Sequence, residues 1–219
     1  MVSILNINCE NGSNASAEPP DTEFEAVSIS LVYSSTDDDA QVAIVIDAGI
    51  GLDEVNVVNP DGRTTLSLTS ATTPNLGQTK IEIQTPEPSL EEAEAAYPEG
   101  TYQFSGKTVD GGDITGEATL SHEIPPTPVI TSPSDGSIDL PINGQTLSWD
   151  PVPGAAGYAI EVEQEDIQIA LKADLLSDKT SFNIPSDYLL PGQDYVSDVA
   201  AIGENGNRTI SEVRFHTAN

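Results

Sequence analysis

The sequence predicts an all-β chain: two β-sandwich domains in tandem, with one short helix in the first. Three observations predict this. Val, Ile and Leu recur in short runs that alternate with polar residues, the period of half-buried strands rather than of helices. The 16 Pro and 17 Gly punctuate those runs as turns, without the density of a low-complexity chain. A break rich in proline, Ile124-Pro125-Pro126-Thr127-Pro128, divides the 219 residues into two lengths that each suit one domain.

Residues 1–25, rich in Asn, Ser, Pro and acids, read as a flexible N-terminal lead. Alternation then begins, with Val27, Ile29, Leu31 and Tyr33 on one face and Ser28, Ser30 and Ser34 opposite, a half-buried strand. Ser34 to Asp39 is a turn, and Val42, Ile44 and Ile46 mark a second strand. Val55 and Val57 lead through the turn Asn59-Pro60-Asp61-Gly62 to Leu66 and Leu68, a hairpin. Ile81 and Ile83 mark another strand.

Ser89 and Glu92 form a capping box, in which each side chain satisfies a backbone N–H of the other, so a short crossover helix is expected near 89–96. It must end before Pro98, which disfavours the helical conformation in Tyr97. Tyr102 and Phe104, then Ile114, Ala118 and Leu120, make a hairpin around Asp110-Gly111-Gly112-Asp113. The first sandwich therefore spans 26–124. Residues 125–128 are a stiff linker of polyproline type, expected to hold the two domains at a restricted angle. The second domain covers 129–219, with strands near 146–149, 157–164, 167–172, 181–184, 195–202 and 210–217.

Charge narrows the classes of partner. The chain carries 36 acidic and 7 basic residues, a net charge of −29. Before Pro125 there are 22 acids and 3 bases, and from it onward 14 and 4, so the halves carry −19 and −10 and the acidity is global. Such a surface repels phosphate backbones, which argues against nucleic acid and anionic membranes. It suits salty surroundings, since at ~1 M salt the Debye length is only ~3 Å. No run approaches the ~18 apolar residues of a membrane helix, so no membrane insertion is expected. Cys9 is alone, which excludes an intramolecular disulfide, and its flanks lack the small residues that precede a lipid-modified cysteine. Met1 to Cys9 has no basic start and shows no signal peptide. Asn11-Gly-Ser13, Asn14-Ala-Ser16 and Asn207-Arg-Thr209 fit the glycosylation sequon.

The residues that could carry chemistry are few. Asp37 and Asp39, two apart in the first turn, offer two carboxylates to Ca²⁺, with Thr36, Asp53 and Glu54 as supplements. A Ca²⁺ site needs six to eight oxygens, however, and the Asp-x-Asp-x-Asp-Gly pattern is absent, which favours a solvated turn. Asp110 and Asp113 flank a Gly-Gly pair, which is ordinary hairpin composition. Glu161, Glu163 and Glu165 alternate along one strand and share a face, so close like charges should raise their proton affinity. A row of acids on a solvent-facing strand still lacks the enclosing pocket that paired-carboxylate catalysis requires.

His122 and His216 lie far from one another and from the cysteine, which does not make a zinc site. There is no Gly-x-Ser-x-Gly elbow, no phosphate loop and no basic patch with interleaved aromatics. No catalytic, cofactor or metal residue is expected, Ca²⁺ at Asp37 and Asp39 being the one alternative held open.

The segment from about 128 to 218 resembles a fibronectin type III module. Leu147-Ser-Trp149-Asp-Pro151 places Trp149 as the strand-B core tryptophan, Tyr158 opens strand C, and Tyr195, six residues after Leu189, matches the tyrosine corner of immunoglobulin-like sandwiches. Phe182-Asn-Ile184-Pro185 and Val213-Arg-Phe215 fit strands E and G. Gly203-Glu-Asn-Gly-Asn-Arg208 stands where some adhesive modules present Arg-Gly-Asp, a tripeptide this loop lacks.

The preceding domain, through Tyr97-Pro-Glu-Gly-Thr-Tyr102-Gln-Phe104 and Gly116-Glu-Ala-Thr-Leu120-Ser-His122, is similar to a segment found before such modules in uncharacterised bacterial proteins. The resemblance implies a bacterial origin and a pairing of two domains. Scaffold residues without a nucleophile–base or metal cluster point to a non-enzymatic binding or spacer protein, extracellular, periplasmic or at the cell surface, whose partner is a protein or an extracellular polymer. Carbohydrate recognition is the remaining alternative. It would need an exposed cluster of Tyr33, Tyr97 and Tyr102, since Trp149 is the only tryptophan and belongs to the core.

Overall fold

The computed structural model describes residues 22–69, 78–164 and 169–219. In chain order the elements are β1 (Thr22–Glu23), β2 (Ala26–Ser34), β3 (Asp39–Val58), β4 (Thr64–Thr69), β5 (Gln78–Gln84), α1 (Leu90–Ala96), β6 (Gly100–Thr108) and β7 (Asp113–Leu120) in the first half. The second half holds β8 (Ile130–Ser132), β9 (Ser137–Leu140), β10 (Thr146–Trp149), β11 (Gly157–Gln164), β12 (Ile169–Leu176), β13 (Ser181–Asn183), β14 (Asp194–Ile202) and β15 (Arg208–Thr217). The all-β class expected from the alternation is present, with the short helix in the first half.

The first sandwich is organised by β3. The sequence suggested separate strands at 42–46 and 55–57, although Ala48, Ile50 and Leu52 extend the alternation of the first. Instead one strand of 20 residues runs through both. Gly49, at φ +62°, supplies the bend, a left-handed conformation that a side chain would strain. Before the bend β3 pairs antiparallel with β2 and β5; after it β3 pairs with β4 and β6, with Leu52 still opposite Gln78 of β5. One strand thus serves both layers. Ile29, Leu31, Val42, Ile44 and Ile46 meet Val55, Val57, Tyr102, Phe104, Ile114 and Leu120 in one buried cluster.

Helix α1 has the expected capping box, Ser89 Oγ accepting from the Glu92 N–H and the Glu92 carboxylate from the Ser89 N–H. The lead expected over 1–25 is shorter at its far end. Thr22–Glu23 pairs parallel with β7 and Phe24 is buried, because an aromatic side chain there closes the end of the core. The rest of that lead lies outside the described residues.

The second half stacks the sheet β13-β10-β8 against β15-β14-β11-β12. β12 runs on past the predicted end at 172, because Leu171, Ala173 and Leu175 continue to pack against the core as the strand pairs with β11 from Gln164 back to Gly157; residues 167 and 168 lie outside the described residues. Trp149, Tyr158 and Tyr195 are interior pillars, 3%, 1% and 1% exposed. Trp149 and Tyr158 pack with ring centroids 5.3 Å apart, and Tyr195 stacks on Phe215 at 5.5 Å. Each tyrosine hydroxyl also fastens a turn: Tyr158 accepts the Val152 N–H at 2.7 Å and Tyr195 the Leu190 N–H at 2.8 Å.

The two sandwiches are not beads on a string. Residues Arg208 to Ile210 of β15 pair parallel with Val32 to Ser34 of β2, and the Ser35 N–H continues the ladder to Ile210 O at 2.9 Å. One 12-stranded sheet therefore runs through both halves.

The Tyr195 hydroxyl tests the second core. Tyr195→Phe keeps the ring and removes the acceptor of the Leu190 N–H, which is expected to cost about 1–3 kcal/mol in urea unfolding, with an unchanged denaturant slope.

Candidate functional site

Two features of the joined sheet have functional content: the seam that fixes the halves, and the hollow that the seam creates. The seam is made by β15 and the loop before it. Asn207, fully buried, accepts the Leu31 N–H at 2.8 Å through Oδ1 and donates through Nδ2 to Ser121 O at 2.7 Å and Glu123 O at 2.8 Å. Its amide thus ties the first sandwich, the segment leaving it, and the second sandwich together. Asn205 Nδ2 adds a second bond to Glu123 O at 2.8 Å.

The prolines of the linker have no N–H to give, so β15 supplies the donors. Thr209 Oγ1 donates to Pro125 O and Ser211 Oγ to Pro128 O, each at 2.7 Å. Thr209 and Ser211 are two residues apart and share one side of the strand. The loop expected to occupy an adhesive position, Gly203 to Arg208, is the joint itself. The sequon at Asn207 is likewise no acceptor in the folded chain, because a fully buried, hydrogen-bonded amide cannot meet a glycosylating enzyme. The other two sequons and Cys9 fall outside the described residues.

The hollow, of about 670 Å³, lies on the outward face of the joined sheet, between β2, β3 and β5 on one side and β15, β14, β11 and β12 on the other. Cross-strand register lays a row of charges along one side: Lys172, Glu161, Asp198 and Glu212 stand opposite one another on β12, β11, β14 and β15. Lys172 Nζ meets Glu161 Oε2 at 2.8 Å, and Arg214 Nε meets Glu212 Oε1 at 2.7 Å. Asp198 sits in the middle. Burial, reinforced by Glu212, Glu161 and Glu163 and opposed by Lys172, pushes its carboxyl up to about 7, and its Oδ1 is buried without a hydrogen-bond partner. Sequence reasoning singled out the glutamates of β11 and passed over Asp198. The available signal was an acid inside the apolar run Val196-Ser-Asp-Val-Ala-Ala201.

A carboxyl that titrates near neutrality is equipped for proton transfer, but catalysis also needs a second group aimed at the same atom. Among the described residues no histidine or cysteine lines the hollow. His122 is spent on the Tyr97 carbonyl at 2.8 Å, and His216 stands 2.7 Å from Asp194 on the last strand. Glu165 lies outside the described residues.

In the first turn Asp37 accepts from Ser34 Oγ at 3.1 Å and Asp38 from the Tyr33 hydroxyl at 3.0 Å, while Asp39 opens β3. Glu54 accepts from Asn56 Nδ2 in the second half of β3, well along the strand from that turn. Asp113 is paired with Lys107. Among the described residues no group of three or more His, Cys, Asp or Glu is placed to hold a metal ion. Tyr102 is fully buried, and Tyr33 and Tyr97 pack against the first core, so these three make no exposed platform.

No family model and no curated protein matches the chain, so no sequence match supports the similarity to bacterial proteins. Solved structures are similar in fold at low identity. The chicken CNTN1 FN1–FN3 domains are 16% identical over 92% of this chain, with a TM-score of 0.36, and this chain covers 66% of that one, just under two thirds. The fibronectin(III)-like modules of Clostridium thermocellum CbhA are 10% identical over 89% of this chain and 93% of theirs, with a TM-score of 0.37. A two-domain fibronectin type III segment of chicken tenascin is 12% identical over 89% of this chain and 99% of its own, with a TM-score of 0.34. No helix among the described residues is long and apolar enough to cross a membrane.

Asp198 sets a pH dependence with a definite sign. Its folded-state pKa lies above the ~3.9 of an unfolded aspartate, so between about pH 4 and 7 the folded chain holds more of that proton and stability falls as pH rises. Asp198→Asn is expected to melt higher than the parent at pH 8, by about 2–4 °C for each kcal/mol regained, and to melt level with it near pH 4.

Proposed function

We propose that this chain is a non-catalytic spacer and recognition element that works outside the cytoplasm, at the cell surface or beyond it, on a protein or extracellular polymer. The observation that carries the reading is the seam. A short linker, a buried asparagine and a continuous ladder of main-chain hydrogen bonds fix the second sandwich against the first, and a fixed angle is what a spacer or a two-domain recognition surface requires. Flexible tandem domains would use an open linker with few contacts across it.

Other features agree. The conspicuous aromatic residues of the second half are buried and support the fold. The net charge of −29 keeps the surface hydrated and soluble in salt. The acidic surface selects against anionic partners and favours neutral or basic ones. In the 34–39 turn, Asp37 and Asp38 are engaged with Ser34 and Tyr33.

Cooperativity tests the seam. Trp149, the sole tryptophan, reports unfolding of the second sandwich, and hydrogen exchange of β6 and β7 amides reports the first. The two are expected to lose structure together in urea, and Asn207→Ala, which strands the buried Leu31 N–H, is expected to separate them. Independent transitions in the unmodified chain would contradict the reading.

Melting in millimolar Ca²⁺ and in chelator is expected to give one midpoint, since a ligand stabilises only the state it binds. A higher midpoint with Ca²⁺ would restore the calcium-dependent alternative at Asp37 and Asp39.

A further inference from the structure

The last strand of the joined sheet, β12, pairs with β11 on one side and, among the described residues, with no strand on the other. Among those residues it is the longest strand paired along one edge only, and its eight residues keep register with β11 without a bulge. It also lacks proline. Natural sheets guard such edges with bulges, prolines or charge, because an open row of N–H and C=O groups templates another strand. Here the guards present are Lys172 and Asp174.

The two faces of β12 differ. Leu171, Ala173 and Leu175 lie half-buried on the core side, with their outer flanks uncovered, while Ala170, Lys172, Asp174 and Leu176 are exposed on the other. Leu176 is 72% exposed and Ile169 52%. The strand therefore offers a second strand both main-chain partners and an unfinished apolar layer.

We propose that β12 is a pairing edge for a second copy of this chain, which adds antiparallel about a two-fold axis at Ala173. Register selects that axis. A two-fold axis normal to the sheet keeps each face on its own side, so only registers centred on a residue are allowed. Centring on Lys172 places lysine opposite lysine, and centring on Asp174 places aspartate opposite aspartate, both unfavourable. Centring on Leu171 or Leu175 shortens the ladder and loses the charge pairing. Centring on Ala173 sets Lys172 opposite Asp174 twice and Leu171 opposite Leu175 twice. It uses every residue from Ala170 to Leu176, and the two cores become continuous through the new pair. The strand is self-complementary in charge in this register and in no other that uses its length.

The opposing force is the net charge of −29 on each copy. At ~0.1 M salt the Debye length is ~10 Å and the copies repel across the joint; at ~1 M it is ~3 Å, and the paired residues in direct contact retain most of their attraction. The acidic surface thus guards the edge at low salt and releases it at high salt. Pairing through β12 is independent of the spacer reading and goes beyond it.

Sedimentation of the full chain at ~0.1 M and ~1 M salt tests it. A monomer at the lower concentration and a dimer at the higher are expected. Lys172→Asp and Asp174→Lys, alone, are each expected to abolish the dimer, because each sets like charges opposite. An equal mixture of the two variants is expected to restore it, since both carboxylates on the edge of one copy then face both ammonium groups on the edge of the other. Near-ultraviolet circular dichroism confirms that each variant folds. A chain that stays monomeric at ~1 M salt, a dimer indifferent to both substitutions, or a mixture that fails to associate would each overturn the proposal.

Discussion

The three prolines of the linker can accept hydrogen bonds but cannot donate them, and the geometry of the joint follows from that constraint. Pro125 and Pro128 present carbonyls, so the neighbouring strand must bring donors, which it does with the hydroxyls of Thr209 and Ser211. Where the linker leaves the first sandwich, the carbonyls of Ser121 and Glu123 meet the amide of Asn207. The same side chain turns its oxygen to Leu31 N–H in the first core. Three of the four hydrogen bonds an asparagine can make are used in a site without exposure to water. A buried polar side chain satisfied to that degree specifies one arrangement, because any shift leaves groups unpaired in a medium where that is costly.

The constraint propagates into the sheet. Once β15 is held against the linker, it stands beside β2 with its main chain aligned, and the parallel ladder from Arg208 to Ile210 closes the seam. Two sandwiches that would otherwise each end in an edge strand share that edge. Joining them leaves a hollow on the outward face, and the β14 carboxylate Asp198 lies along it between Glu161 and Glu212. The raised affinity of Asp198 for a proton is thus a consequence of the second sandwich's own register, with burial as the first cause and like charges as the second. It is a cost that the fold carries at neutral pH.

Much of this architecture was legible in the residues. Alternation located β2, β5, β6 and β7, a capping box located α1, and Trp149, Tyr158 and Tyr195 located the second core, because each of those signals is local or rests on a residue type with one structural use. What was not legible depended on distance along the chain. Asn207 and Leu31 are 176 residues apart, and nothing in Asn-Arg-Thr distinguishes a glycosylation site from a buried bridge. The length of β3 was hidden because the apolar phase shifts between Leu52 and Val55, beyond the bend at Gly49, where the strand exchanges partners. Asp198 was overlooked because the environment that perturbs it is assembled from three other strands. The candidate site was therefore much less legible than the scaffold that builds it.

Residual dipolar couplings measured in a weakly aligned sample test the central claim most directly. If the seam holds the sandwiches as one body, couplings from β2, β3, β6 and β7 and couplings from β11, β14 and β15 will fit a single alignment tensor, with orientation and magnitude in common. Two tensors of different magnitude would mean that the halves reorient independently, and would contradict the account.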